Sequence, residues 1–437
     1  MQNTNHFLWE FATSTAGKNK SMSVRAKKQI KLDGIEPKRL LEKILSSSLG
    51  QVFIWRSKGS SVIRIGIDFH PGDDAYLEDE FEYYSLRDFE DSAKPSRVYI
   101  PKVIINFIES NAHIIAQDSD PELYKKVLVT VEELNKETAY KDKQVQEIEV
   151  TSNDNPTDDL KEWHNTFDGA MNLIKNGTVE KIVISRTKQF NHSQKDLNQF
   201  IHWAPLSNNI ENKAQYFVLL KRENGSIHYS MTPETLFAKE GANIFIDALA
   251  GTRKVSPINE ENEHIAKELL QNKKENHEHR LVEKYIESVL NSINITWSQN
   301  ISKHVKVLKY VQHLHSQYRA KVNIEQWEEL KNSFHPTPAV GARPYQYWTK
   351  ILDLEPRRRG LYAGLIGWHG LTREDICVNL RCLDITHDKL MIHAGCGIVE
   401  QSEAKHEYIE TERKMFNFTQ YLKMSSKEAD IWPNKNL

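Results

Sequence analysis

Apolar and polar residues alternate most clearly in the middle of the chain. EKIVISRTKQF, QYFVLLKRENGSIHYSM and TLFAKEGANIFIDALAG read as strands, and Asn224-Gly225 between two β-rich runs is a hairpin signal. Just before them, the 3.6-residue apolar spacing in LKEWHNTFDGAMNLIKNG predicts an amphipathic helix closed by Asn176-Gly177, preceded by a polar loop over 151–160. Helices are predicted next over about 261–294, 324–333 and 344–354. Strands return in RGLYAGLIGWHG, DICVNLRCLDI and KLMIHAGCGIV, and a last helix is predicted over about 402–424. The first 150 residues alternate apolar patches (QVFIW, SVIRIGI, RVYIPKVIINFI) with charged runs and read as scaffold. Runs of strands separated by runs of helices predict an α+β fold, a large layered domain of mainly antiparallel sheets flanked by helices. No internal repeat, G-x-G-x-x-G or G-x-x-x-x-G-K-[ST] is present, which removes the usual sequence arguments for a nucleotide site.

Composition narrows the partners. The 437 residues, 39% hydrophobic and 27% charged, suffice for a large buried core. A net charge of -2 from 58 basic and 60 acidic side chains gives no electrostatic reason to expect nucleic acid or an anionic membrane, so a small-molecule partner is expected. Cys377, Cys382 and Cys396 form no C-x-x-C pair, which argues against a disulfide framework or structural zinc and suits a reducing cytoplasm. The N-terminus lacks a secretory apolar core, its basic, acid-poor character leaving a transit peptide open, and no stretch is long and apolar enough to span a bilayer.

Four constellations can carry chemistry. Lys181 in VEKIVISR shares a strand face with Val179 and Val183, where apolar neighbours would desolvate its amine toward use as a base; the competing reading is an edge-strand lysine in water. Glu234 in MTPETLF follows a proline turn and is either a proton donor with a raised pKa or a solvated turn residue. Glu275 and Glu278, and Glu407 and Glu410, are each three apart, so each pair occupies one helical face. Two such faces opposed would form an all-oxygen magnesium site, although Glu410 and Lys414 at i,i+4 also fit an ordinary surface ion pair. His313 and His315 in QHLHSQYR lack further zinc ligands nearby and read as hydrogen-bonding or packed histidines.

From about residue 153 to 423 the chain resembles the chorismate-utilising enzymes, most closely isochorismate synthases. The resemblance rests on KIVISR, TPETLF, ALAGTR, KKENHEH, QHLHSQYR, HPTPAVGARP, RGLYAG, VNLRCL, HAGCGIVEQS and EYIETERK in that order. It implies that 151–425 is a chorismate-binding catalytic region, that 1–150 is a variable part of the same domain, and that 426–437 is a tail. It further implies Lys181 as general base, Glu234 as general acid, and Mg²⁺ held nearest by Glu278 and Glu410, with Glu275 and Glu407 completing the shell. Arg381 and Tyr362 would hold the enolpyruvyl carboxylate, Gly395 would bring a backbone N–H to a carboxylate, Lys414 would add a cation, and His313 would face the ring. HPTPAVGARP becomes a rigid pocket wall rather than a linker. A base at Lys181, with Ala250 where ammonia-using relatives carry a lysine, favours water as nucleophile. Ala339, where salicylate synthases place threonine, favours isomerisation without pyruvate loss. The implied partner is chorismate alone, with no glutaminase subunit, in a monomer or homodimer feeding menaquinone or siderophore/salicylate routes. A salicylate synthase and a non-catalytic chorismate-binding relative are the alternatives.

Overall fold

The computed structural model describes residues 26–72, 81–117, 120–136, 148–152, 156–193, 200, 212–256, 258–307 and 311–424. Residues 1–25, where the transit-peptide reading falls, and the 426–437 tail lie outside the described residues. Twenty strands occur among those described: β1 (Lys27–Lys31), β2 (Val52–Arg56), β3 (Ile63–Pro71), β4 (Tyr83–Arg87), β5 (Arg97–Ile108), β6 (Asn111–Ala116), β7 (Ile148–Ser152), β8 (Lys181–His192), β9 (Phe217–Lys221), β10 (Ile227–Ser230), β11 (Thr235–Glu240), β12 (Asn243–Lys254), β13 (Trp297–Val307), β14 (Val311–Lys321), β15 (Ala342–Arg343), β16 (Leu365–His369), β17 (Arg373–Val378), β18 (Cys382–Ile385), β19 (Lys389–Ile398) and β20 (Leu422–Met424). Their pairings form two branches that share the long strand β5. One runs β1-β6-β5-β3-β2-β9-β10-β18-β19-β8-β7-β20, and the other β5-β4-β16-β17-β11-β12-β14-β13. All ladders are antiparallel except β20 on β7, so the expected α+β architecture is the one observed. Strands before residue 150 pair directly with later ones, as in β2 with β9 and β4 with β16.

The two branches meet through aromatic packing. Phe53 from β2 stacks on Tyr84 from β4 at a centroid distance of 4.0 Å, and Trp368 from β16 lies 6.0 Å from Phe53. Each such pair adds about 0.5–1.5 kcal/mol beyond the burial of its area. The three cysteines are buried and unpaired. Among the described residues no helix is long and apolar enough to cross a membrane.

Several predicted elements divide, each for a local reason. The 151–160 loop contains the end of β7, and the helix Pro156–Lys175 starts earlier than expected, with Asp158 and Asp159 in its first turn, where carboxylates favour the helix dipole. The segment 261–294 is two helices, Asn259–Gln271 and Lys273–Ser292. Asn272 breaks them with extended torsions, and its side chain caps the second helix by accepting from Glu275 N at 3.0 Å. The 344–354 helix reduces to a 3₁₀ turn and the short helix Lys350–Leu354. The last helix ends at Thr419, and β20 follows.

HPTPAVGARP is tied to the sheet. Val183 N donates to Gly341 O (2.8 Å) and Glu180 N to Arg343 O (2.7 Å), fastening the loop along β8. Arg359 completes the attachment from below by donating to Val340 O and Val183 O at 2.9 and 2.8 Å. Its charge is matched by Glu355, whose carboxylate accepts from Arg359 Nη2 at 2.6 Å and from Ser185 N at 2.6 Å; the two side chains are 1% and 4% exposed. Removing one member of a buried pair strands the other charge. Glu355→Gln is therefore expected to lower the unfolding free energy by about 3–5 kcal/mol, measured as a lower denaturant midpoint at unchanged slope.

Candidate active site

Two of the chain's crossings between the branches lie side by side. Residues 231–234 lead from β10 to β11, and 379–381 lead from β17 to β18. Val378 N donates to Glu234 O (3.1 Å) and Met231 N to Arg381 O (3.0 Å), while Thr232 Oγ1 donates to Val378 O (2.6 Å). DICVNLRCLDI is thus two strands rather than the one its alternation predicts. At the break Arg381 has φ of 49°, an unusual conformation for a side chain this large. Glu234 and Arg381 both line one cavity between the branches.

Lys181 begins β8, which is flanked by β19 and β15, so it is not an edge-strand lysine in water. The residue is 2% exposed, and its Nζ lies 3.5 Å from Glu278 Oε2. Gly397 makes this possible: a Cβ there would sit 2.7 Å from Lys181 Cε and 3.2 Å from Glu278 Oε2. Gly395 has a similar role, since a Cβ would lie 2.8 Å from the Tyr362 hydroxyl. Its carbonyl accepts from Lys414 Nζ at 2.8 Å. Lys414 also pairs with Glu410 at 2.7 Å, so the predicted i,i+4 ion pair forms, but at the cavity rather than on an open surface.

The two glutamate pairs come from different helices. Glu275 and Glu278 lie on Lys273–Ser292, Glu407 and Glu410 on Ala404–Thr419. Glu278 and Glu410 line the cavity of Lys181, and Glu275 and Glu407 line an adjoining one that shares Glu410. Gly251, at φ 81° and the bulge of β12 against β14, lets the helix approach, for a Cβ there would meet Glu275 at 3.2 Å. Each carboxylate faces a cation or donor. Glu275 accepts from Thr252 N (2.9 Å) and Arg253, Glu407 from Lys274, and Lys274 also lies 3.8 Å from Glu278.

Burial and crowding set the protonation of these acids. Burial pushes Glu234 up to about 7, with Asp247 adding to the rise and Lys181, Lys58 and Lys414 opposing it. Glu278 is likewise pushed up to about 7, by burial and the neighbouring Glu275 against Lys181. Glu407 is raised by burial and by Glu410. For Glu410 burial acts upward, but Lys414, with Lys274 and Arg381, outweighs it and holds the carboxyl below its ordinary value. Burial lowers Arg381 to about 10 and keeps the His313 imidazole well below its ordinary range, so His313 is neutral. Its Nδ1 is hydrogen-bonded with the Thr252 hydroxyl at 3.1 Å.

Ten of the residues singled out in the sequence therefore share one cavity: Lys181, Glu234, Glu278, His313, Ala339, Tyr362, Arg381, Gly395, Glu410 and Lys414. Glu275 and Glu407 stand beside it. Sequence reasoning missed Thr252, Lys274 and Asp247. Asp247 carried a signal, as an acid inside the apolar run NIFIDALA, and it is buried beside Glu234.

Comparison with known proteins now bears on this geometry. Residues 85–423 match the family model described as chorismate binding enzyme. The chain is 32% identical over 264 residues to the isochorismate synthase MenF of Haemophilus influenzae, covering 58% of each chain. It is 30% identical over 273 residues to the chloroplastic isochorismate synthase of Catharanthus roseus, covering 61% of this chain and 47% of that one. The chain spans about half the length of the curated relatives it matches. In fold it is similar to the solved structure of MenF, the menaquinone-specific isochorismate synthase of Escherichia coli, with a TM-score of 0.73, 19% identity, and coverage of 92% of this chain and 95% of that one. With the family match running through most of the strands and helices that line the cavity, the chain belongs to the chorismate-binding enzyme family.

Proposed function

We propose that the protein is an isochorismate synthase, isomerising chorismate by adding water at C2 as the C4 hydroxyl leaves. The observation that carries this reading is the burial of Lys181 and a carboxyl raised to about 7, Glu234, in one cavity that also holds the Arg381 guanidinium. The reaction needs both a proton acceptor and a proton donor. Lys181 Nζ removes a proton from the attacking water, and Glu234, protonated near neutrality, supplies one to the departing hydroxyl. One water enters and one leaves, so atoms and charge balance.

Arg381 and Tyr362 hold the enolpyruvyl carboxylate, a task suited to a guanidinium fork beside a phenol kept protonated by burial. Lys414 adds positive charge, the Gly395 N–H serves a carboxylate, and neutral His313 faces the ring. Ala250 offers no amine and Ala339 no hydroxyl, which favours water over ammonia and isomerisation over pyruvate loss.

The four glutamates fit a hard divalent cation in chemistry, being oxygen donors raised or crowded by one another. Among the described residues no three of them converge on a ligating point as they stand, because each is turned to a donor and Lys274 occupies the space between Glu278 and Glu407. Glu278 and Glu410 would hold a magnesium ion, with Glu275 and Glu407 completing the shell directly or through water. When bound, the ion would neutralise the ring carboxylate and orient the ring.

Incubation with chorismate and Mg²⁺ is expected to yield isochorismate on chromatography; salicylate with pyruvate as main products would select a salicylate synthase, and binding without turnover a non-catalytic relative. Lys181→Ala is expected to nearly abolish product. On the alkaline side kcat/KM is expected to fall as pH rises through about 7, where Glu234 loses the proton it donates, a limb read from the pH–rate profile. Gly397→Ala, which drives a methyl into Lys181, is expected to cost about 100-fold in kcat/KM with little change in the thermal midpoint.

A further inference from the structure

Lys58 sits in the turn after β2, in the part of the chain the sequence reading left as scaffold and before residue 85, where the family match begins. Its side chain nevertheless reaches the β10–β11 crossing. Nζ donates to Thr235 Oγ1 at 2.7 Å, to Pro233 O at 3.2 Å and to Asp247 Oδ2. The first two acceptors are the immediate neighbours of Glu234. An ammonium has three protons to donate, and here each has an acceptor. The turn is itself anchored: Gly59 N donates to Lys213 O at 2.8 Å, and Ser57 Oγ donates to Asp375 Oδ2 at 2.6 Å. Asp247 is held from its other side by Gln317 Nε2 at 2.9 Å, with His315 Nε2 at 3.1 Å. Its side chain is 2% exposed, and that of Lys58 18%.

We infer that Lys58 is a positioning residue for Glu234, clamping the backbone and side chain on either side of it and tying them to Asp247. The inference rests on the reading of Glu234 as proton donor. Glu234 itself is held by Val378 N donating to its carbonyl and by its own N–H donating to Thr232 Oγ1 at 3.3 Å, so the bonds Lys58 makes to Pro233 and Thr235 fix the chain on either side of it. The charged groups facing Glu234 are Asp247 from β12, Lys181 from β8, Lys58 from its turn, Lys414 from the Ala404–Thr419 helix and Arg381 from the second crossing. Lys306 faces Lys58 and Asp247. Asp247 raises the Glu234 carboxyl and Lys58 lowers it, so removing one or the other acts in opposite directions on the same proton. Loss of the Lys58 ammonium leaves Glu234 harder to ionise, and loss of the Asp247 carboxylate leaves it easier.

The test uses the full chain with chorismate and Mg²⁺, comparing Lys58→Met, Asp247→Asn, Thr235→Val and Glu234→Gln with wild type in kcat, KM, pH–rate profile and thermal midpoint. Lys58→Met is expected to lower kcat about 10- to 100-fold, since displacing a catalytic group by a fraction of an ångström suffices for that, with KM within about twofold. The alkaline limb is expected to move to higher pH in Lys58→Met and to lower pH in Asp247→Asn. Thr235→Val, which keeps the Lys58–Asp247 pair, is expected to lower kcat less at an unchanged midpoint. A folded Lys58→Met with wild-type kcat and limb would overturn the inference, as would limbs that shift the same way in both charge variants. If Lys58→Met does not fold, wild-type kcat in Thr235→Val together with an unmoved limb in Asp247→Asn overturns it. Glu234→Gln separates the two readings: retained turnover there overturns the donor assignment itself, whereas a dead Glu234→Gln beside a wild-type Lys58→Met overturns only the clamp.

Discussion

The paired crossing of the chain between its two sheet branches is the constraint on which the cavity depends. Where 231–234 runs against 378–381, each segment leaves one ladder before it joins the next, and the two satisfy each other's backbone groups in the gap. Buried backbone cannot be left unpaired without a cost comparable to a lost hydrogen bond, so one crossing requires the other. Glu234 and Arg381 sit at the ends of this short pairing, and Arg381 takes its left-handed torsion where the chain switches branches. Elsewhere in a regular strand the same two side chains would be committed to one face of one sheet.

Around that gap the fold concentrates buried charge. Lys181, Lys414, Lys274, Lys58 and Arg381 stand against Glu234, Asp247, Glu275, Glu278, Glu407 and Glu410, nearly all in low-exposure surroundings. Such an arrangement is a poor source of stability, because desolvation offsets most of the attraction. It is a good source of reactivity, because burial drives individual groups away from their ordinary ionisation. Glu234 and Glu278 both rise to about 7 while Glu410, beside Lys414, stays low. Chemically identical carboxyls are thereby assigned different protonation by their neighbours alone. The small residues Gly251, Gly395 and Gly397 permit this density, since a Cβ at Gly395 or Gly397 would collide with Tyr362 or Lys181 and one at Gly251 would crowd Glu275.

Local patterns in the sequence anticipated the elements well where a single period ran without interruption. β8 and β19 and the helix Ile324–Ser333 fall where alternation or helical spacing put them. The failures share a cause. DICVNLRCLDI is apolar enough throughout to pass for one strand, and nothing in its alternation marks the three residues at which it changes sheets. The break at Asn272 is a cap that reads as one more polar residue on a long helical face. Lys58 looks like any turn lysine, because the acceptors it reaches are about 175 and more residues away in the chain.

What the sequence determined by itself was the inventory: an α+β pattern, the acid pairs three apart on helical faces, a lysine within an apolar strand, and a proline- and glycine-rich loop with small side chains. Those are properties of residue type and spacing, set by backbone periodicity. The tertiary structure decided which of these share a cavity, that Lys181 lies on an interior strand rather than an edge, that the loop around Ala339 is a wall, and that a lysine of the N-terminal part reaches the residues beside Glu234. Ionisation was decided there as well, since a carboxyl's affinity for its proton depends on which charges are brought near it and how far water is kept away. Separation in sequence carries no information about either.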